Sequence, residues 1–236
     1  MSAPNLEFCL SGGAAHGLVM SGALAALRDR GVVPNSVTGI SSGAVAAALT
    51  YGYGSSDSAI GFFERAFDLV RERGASAMVP PYSKGDDDLI EQMRPFVAPP
   101  ITYREHGLQH LWIGAAVLPT LRFETRELLG DEDHDGLIRG LAHTSMMPFM
   151  THNAPHLQGR LDGAFRKNHF TSPTDASQRW LFTYARKPFT SGRGPRSAYD
   201  RVVLLDSPFW FSLHLSRRRL RQAWHSGYAQ GQRLAV

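Results

Sequence analysis

Two strand–turn–helix units stand back to back in the first fifty residues, and that order constrains the fold more than any other feature of the chain. The apolar run "LEFCL" at 6–10 reads as a buried strand. The small-residue stretch "SGGAAHG" at 11–17 follows it, and then "LVMSGALAALRDRG" at 18–31. Met20, Ala23, Leu24 and Leu27 fall on one helical face, and Gly31 stands where a helix-ending glycine is expected. A second strand, "SVTGI" at 36–40, then runs through Ser41 into "SGAVAAAL", which is helical by propensity. Repeated strand-to-helix passages of this kind predict an α/β fold.

The rest of the chain extends the pattern. The runs "LWIGAAVL", "WLFTYA" and "RVVLLD" read as later sheet strands. Ile60, Phe63, Phe67 and Val70 share one face of a core-packing helix, and "DDDLIEQMRPF" reads as a short helix ended at Pro95. With 236 residues, 43% of them hydrophobic, the chain is expected to form a single domain over 1–236, with a small cover segment at about 75–110.

The second junction holds "GISSG" at 39–43, a G-x-S-x-G pattern at a strand-to-helix turn. That is the setting of a nucleophile elbow, with Ser41 raised above the sheet and Gly39 and Gly43 relieving crowding. The first turn offers successive backbone N–H groups at a helix start, a site for negative charge. A dinucleotide fingerprint would need an acidic residue at the end of the next strand, where Ile40 and Ser41 stand instead. A phosphate-binding loop would need Gly-Lys-Ser/Thr, which is missing. An ordinary α/β-hydrolase places its elbow after several strands, whereas Ser41 follows the second.

Three motifs in order, "SGGAAHG" at 11–17, "GISSG" at 39–43 and "DGA" at 162–164, make the chain resemble the patatin-like phospholipases. The stretch "TSMMPFM" at 144–150 and the ending "HSGYAQGQ" are similar to further segments of that family. The resemblance implies a three-layer α/β sandwich with a central, mostly parallel sheet flanked by helices. It also implies a Ser–Asp dyad, Ser41 with Asp162, acting on carboxylic esters of lipids without metal or organic cofactor. The chemistry is coherent, because a serine hydroxyl needs a base within reach, and a carboxylate at a strand end beside Gly163 can serve. Backbone N–H groups of Gly12, Gly13 and Ala14, with the amide of Ser42 adjoining, are the candidates for holding the oxyanion.

Two positions depart from the family's commonest pattern. Ala14 replaces a glycine, which suits the turn only if its φ is negative. His16, ahead of Gly17, replaces an arginine. If that arginine orders the turn, His16 can substitute through one hydrogen bond; if it attracts anionic head groups, the loss favours neutral esters. An acyltransferase on the same dyad, and a lipid-binding member impaired at Ala14 and His16, are the alternative readings. His214 or His225 as the base of a triad is another.

The net charge of +4 is too small to imply nucleic acid but does not oppose peripheral contact with an anionic membrane. Arg217, Arg218, Arg219 and Arg221 head an amphipathic tail whose simpler reading is a helix packed on the sheet layer, with arginines in water. The single cysteine, Cys9, lies in an apolar strand and reads as a buried core thiol. No metal-ligand spacing is visible among the histidines. With no signal peptide and no apolar run of about 18 residues, a cytoplasmic protein is expected. Oligomeric state is left open.

Overall fold

The computed structural model describes residues 5–73, 91, 93–130, 133–147, 155–185, 196–208 and 216–235. Residues 75–90 and 92 of the cover segment at 75–110, and with them most of "DDDLIEQ", the histidine at 214 and the end of "TSMMPFM" lie outside these residues. Among the described residues, seven strands form one sheet: β1 (Leu6–Leu10), β2 (Ser36–Gly39), β3 (His110–Val117), β4 (Arg122–Glu127), β5 (Arg160–Asp162), β6 (Gln178–Tyr184) and β7 (Arg201–Leu205). Their order is β4-β3-β2-β1-β6-β7, with β5 also paired to β3. The pairings β1–β2, β1–β6, β2–β3 and β6–β7 are parallel, while β4 and β5 run antiparallel to β3. The helices are α1 (Gly17–Asp29), α2 (Ser42–Tyr51), α3 (Ser56–Arg73), α4 (Pro100–Glu105), α5 (His134–Thr144) and α6 (Arg217–Arg233). The architecture is the expected α/β sandwich around a mostly parallel sheet.

Strand alternation divides β1 between two environments. Leu6, Phe8 and Leu10 enter the main apolar core, where the Phe8 ring lies 5.5 Å from Trp180 and 4.8 Å from Phe182. Glu7 and Cys9 turn to the opposite face, beneath the segment that follows β5. There the buried Glu7 carboxylate takes the Arg179 guanidinium at 2.8 Å and the Ser172 N–H at 2.7 Å. Both charges of the pair are thus compensated, as burial requires. Cys9 is a buried thiol, its pKa raised by that burial.

Helix α1 departs from the expected single buried face, because every residue from Gly17 to Leu27 is buried. The reason is α6, which packs backbone to backbone along α1 at Gly22, Gly227 and Gly231. A Cβ on Gly227 would fall 1.9 Å from the Val19 carbonyl oxygen, so the two backbones touch and a side chain there has no room. Leu220, Ala223 and Trp224 face inward, and Arg217, Arg218, Arg219 and Arg221 face outward. Arg30 spans the two helices, donating to the Gly231 and Leu234 carbonyls at the C-terminal end of α6, where a cation suits the helix dipole. α1 itself ends as expected at Gly31 (φ 77°), with Val32 N–H bonded to Leu27 and Gly31 N–H to Arg28. Among the described residues, no helix is long and apolar enough to cross a membrane.

Candidate active site

β3 is the longest strand among the described residues, and two partners share one of its edges. Its lower half pairs with β2 as far as Gly39 opposite Ile113; its upper half pairs with β5 from Asp162 opposite Ala115. The end of β2 and the end of β5 therefore meet head to head at Gly114. This arrangement, and no local sequence signal, brings Asp162 to Ser41.

Ser41 sits at the sharp turn between β2 and α2 with φ 52° and ψ −130°. A side chain held at positive φ costs on the order of 1–3 kcal/mol and persists only where its surroundings fix it. Gly39 and Gly43 make the turn sterically feasible. A Cβ on Gly39 would lie 2.4 Å from the Ala44 backbone, and one on Gly43 would lie 2.6 Å from the Ser11 carbonyl oxygen. The Ser41 N–H, past the end of the sheet ladder, donates to Thr144 Oγ1 at 3.1 Å.

The Ser41 hydroxyl lies near enough to the Asp162 carboxyl to favour its ionised form. Asp162 is 1% exposed. Burial pushes its pKa up to about 6, against the opposing pull of the Ser41 hydroxyl and of the Ala164 N–H, which donates to Oδ1 at 2.8 Å. Its own N–H is held by the Met146 carbonyl at 2.8 Å. Gly163 packs against the Gly114 carbonyl, too close for a side chain. A carboxyl poised near neutrality beside a hydroxyl can take up and release a proton in the physiological range.

The glycine-rich turn lies across from this pair. Gly12 packs on Ser41, whose Cβ would lie 3.1 Å from a side chain at Gly12; Asn168 Oδ1 would lie at 3.2 Å. The Gly13 N–H donates to Ser42 Oγ at 3.0 Å, and the Tyr184 ring fills the space beside it. Ala14 adopts φ 49°, so the negative φ that an alanine needs for comfort is not kept. His16 is buried with its ring centroid 5.2 Å from that of Tyr184. Burial pulls its pKa down to about 4, which makes it a neutral ring at pH 7. Gly17 opens α1 beneath Ser42.

His225, the describable candidate for a triad base, is exposed on α6. Among the described residues, no group of three His, Cys, Asp or Glu side chains is arranged to hold a metal. Thr144, Tyr184 and Asn168 also line this region, and the sequence reading singled out none of them. Thr144 carried one signal, as the first residue of the family-like stretch "TSMMPFM".

Ser41 on its strand-to-helix elbow, the buried Asp162 and the glycine-rich turn thus come together at one end of a mostly parallel α/β sheet. The model of the patatin-like phospholipase family matches residues 8–206, and the chain belongs to that family. None of the curated proteins searched matches the sequence. Among solved structures, VipD from Legionella pneumophila superposes with a TM-score of 0.52 at 11% identity, over 98% of this chain and 66% of VipD. The type III effector protein ExoU gives 0.49 at 14% identity, over 97% of this chain and 52% of ExoU. The chain thus spans 66% and 52% of the lengths of those two proteins. The likeness to VipD is one of fold.

Proposed function

We propose that the protein is a serine acyl hydrolase that cleaves carboxylic esters of lipids through an acyl-enzyme on Ser41. The observation that carries this reading is the meeting of the β2 and β5 ends, which sets the Ser41 hydroxyl beside a buried carboxyl with its pKa raised to about 6. Asp162 takes the hydroxyl proton as Oγ attacks the ester carbonyl carbon. The carbonyl oxygen becomes an oxyanion, for which the amides of Gly12 and Ala14, adjoined by that of Ser42, are the donors. The Gly13 N–H joins them only by leaving Ser42 Oγ. One such donor is worth on the order of 3 kcal/mol in the transition state. Collapse breaks the ester C–O bond, and Asp162 returns the proton to the departing alcohol. Water then attacks the acyl-enzyme, giving its proton to Asp162, and the carboxylic acid leaves as Ser41 recovers its hydroxyl.

The neutral, buried His16 takes up the choice left open by its replacement of arginine. It supplies no charge for an anionic head group, which supports a structural part in the turn. Phe165, Arg166 and Lys167, all exposed directly after the Asp162 turn, support peripheral contact of this rim with a lipid surface.

Hydrolysis of a p-nitrophenyl ester series, with fluorophosphonate labelling, tests the reading. Wild type is expected to turn over and to be labelled at Ser41. Ser41→Ala and Asp162→Asn are expected to lose activity by about 1,000-fold or more. Full activity in either variant removes the assignment.

A further inference from the structure

We propose that Thr144 is the positioning residue of the nucleophile, a role that rests on the hydrolase reading of Ser41. Three backbone groups near Ser41 have no place in the regular ladder, and Thr144 or its helix exit serves each. The last bond from the end of β2 to β1 runs from the Ile40 N–H to the Leu10 carbonyl, so the next N–H, that of Ser41, needs another acceptor. Thr144 Oγ1 accepts it at 3.1 Å. The Gly114 carbonyl falls between the registers of β2 and β5, and the Thr144 hydroxyl donates to it at 2.6 Å. Two residues further on, the Met146 carbonyl takes the Asp162 N–H at 2.8 Å.

One hydroxyl thus ties the strained serine to the strand that sets the register of the aspartate. Thr144 is fully buried, so no exposed surface competes for its hydroxyl. The task requires a group that accepts and donates from a single atom, which a serine hydroxyl can do and a valine methyl cannot. Losing the bridge leaves both Ser41 N–H and Gly114 C=O without it and lets the elbow relax away from its strained φ.

The experiment compares Thr144→Val, Thr144→Ala and Thr144→Ser with wild type, reading kcat, KM, the rate of fluorophosphonate labelling at Ser41, and Tm. Thr144→Val is expected to lose about 10- to 100-fold in kcat with KM nearly unchanged, because misplacing a reacting atom acts on the chemical step. The labelling rate is expected to fall in step, and Thr144→Ser to return to within about threefold of wild type. A folded Thr144→Val with wild-type kcat, or a Thr144→Ser as impaired as Thr144→Val, overturns the role. Should Thr144→Val not fold, Thr144→Ala takes its place with the same expected loss. Wild type without ester hydrolysis or labelling removes the hydrolase reading itself, whereas equal labelling of wild type and Thr144→Val removes the positioning role alone.

Discussion

Asp162 stands opposite Ala115 across the antiparallel pair of β5 and β3, two positions beyond the point where β2 ends opposite Ile113 on the same edge. The offset leaves Gly114 as a gap one residue wide, and both the serine turn and the aspartate turn close over it. The ester hydrolysis proposed for this site therefore depends on strand registers as much as on the two side chains, and on the ionisation of a carboxyl taken out of water.

As the proposed base, Asp162 has to be ionised to accept the serine proton. With its pKa at about 6, kcat/KM for an uncharged ester is expected to rise through a single ionisation near pH 6 and level off above it. A profile already flat at pH 4.5 contradicts the assigned base.

The same burial has a stability signature. The carboxyl binds its proton more tightly folded (about 6) than unfolded (near 3.8), so its contribution is full below about pH 4 and is lost as pH rises through 6. Asp162→Asn is expected to be more stable than wild type at pH 7.5, by on the order of 2 kcal/mol relative to their difference at pH 4. Denaturant titrations at the two pH values check it; equal differences at both speak against a buried, desolvated carboxyl.

His16 and His143 act with the opposite sign. Burial holds both at about 4, below the unfolded value of 6.5, so their contribution is present above pH 6.5 and is lost as pH falls toward 4. His16→Phe keeps an aromatic ring against Tyr184 and is expected to flatten that loss by about 2 kcal/mol. Stability curves of the two proteins that run parallel from pH 7 to 4 rule it out.

Ala14 at φ 49° carries a strain that glycine would not. Ala14→Gly relieves about 1 kcal/mol and gives part of it back through the greater freedom of its unfolded chain. Its Tm is expected to match or exceed that of wild type, whereas Ala14→Val, branched at Cβ, falls below both. The order Gly, Ala, Val in thermal melts is the check; Val equal to Ala would place this backbone elsewhere.

Gly227→Ala pushes a methyl into the Val19 carbonyl, where a Cβ would stand 1.9 Å from the oxygen. Both partners are backbone and neither can turn aside, so a loss of about 3 kcal/mol is expected in urea unfolding. A loss below about 0.5 kcal/mol would mean that α6 does not lie this close to α1.

Much of the frame was legible from local pattern. The runs 6–10 and 36–40, the helix ended at Gly31 and the serine turn all depend on neighbours a few residues away, so composition and spacing expose them. β4 was not legible, since "RFETRE" has no apolar run and acquires its strand form by pairing with β3 at the sheet edge. α5 was legible but unread, since Leu137, Ile138, Leu141 and Ala142 mark one face behind the Asp133 cap; what no pattern showed is that its last residue, Thr144, reaches Ser41.

Sequence alone determined that Ser41 would stand at a strand-to-helix elbow beside a glycine-rich turn, because glycines, a β-forming run and an alanine-rich helix settle that geometry among adjacent residues. It named Asp162 by motif and gave no path by which that residue reaches the serine. Tertiary structure decided the meeting, the carboxyl pKa of about 6 and the hydroxyl that braces the elbow. The physical reason is that strand register and desolvation come from groups far apart in the chain, and neither leaves a periodic trace in it.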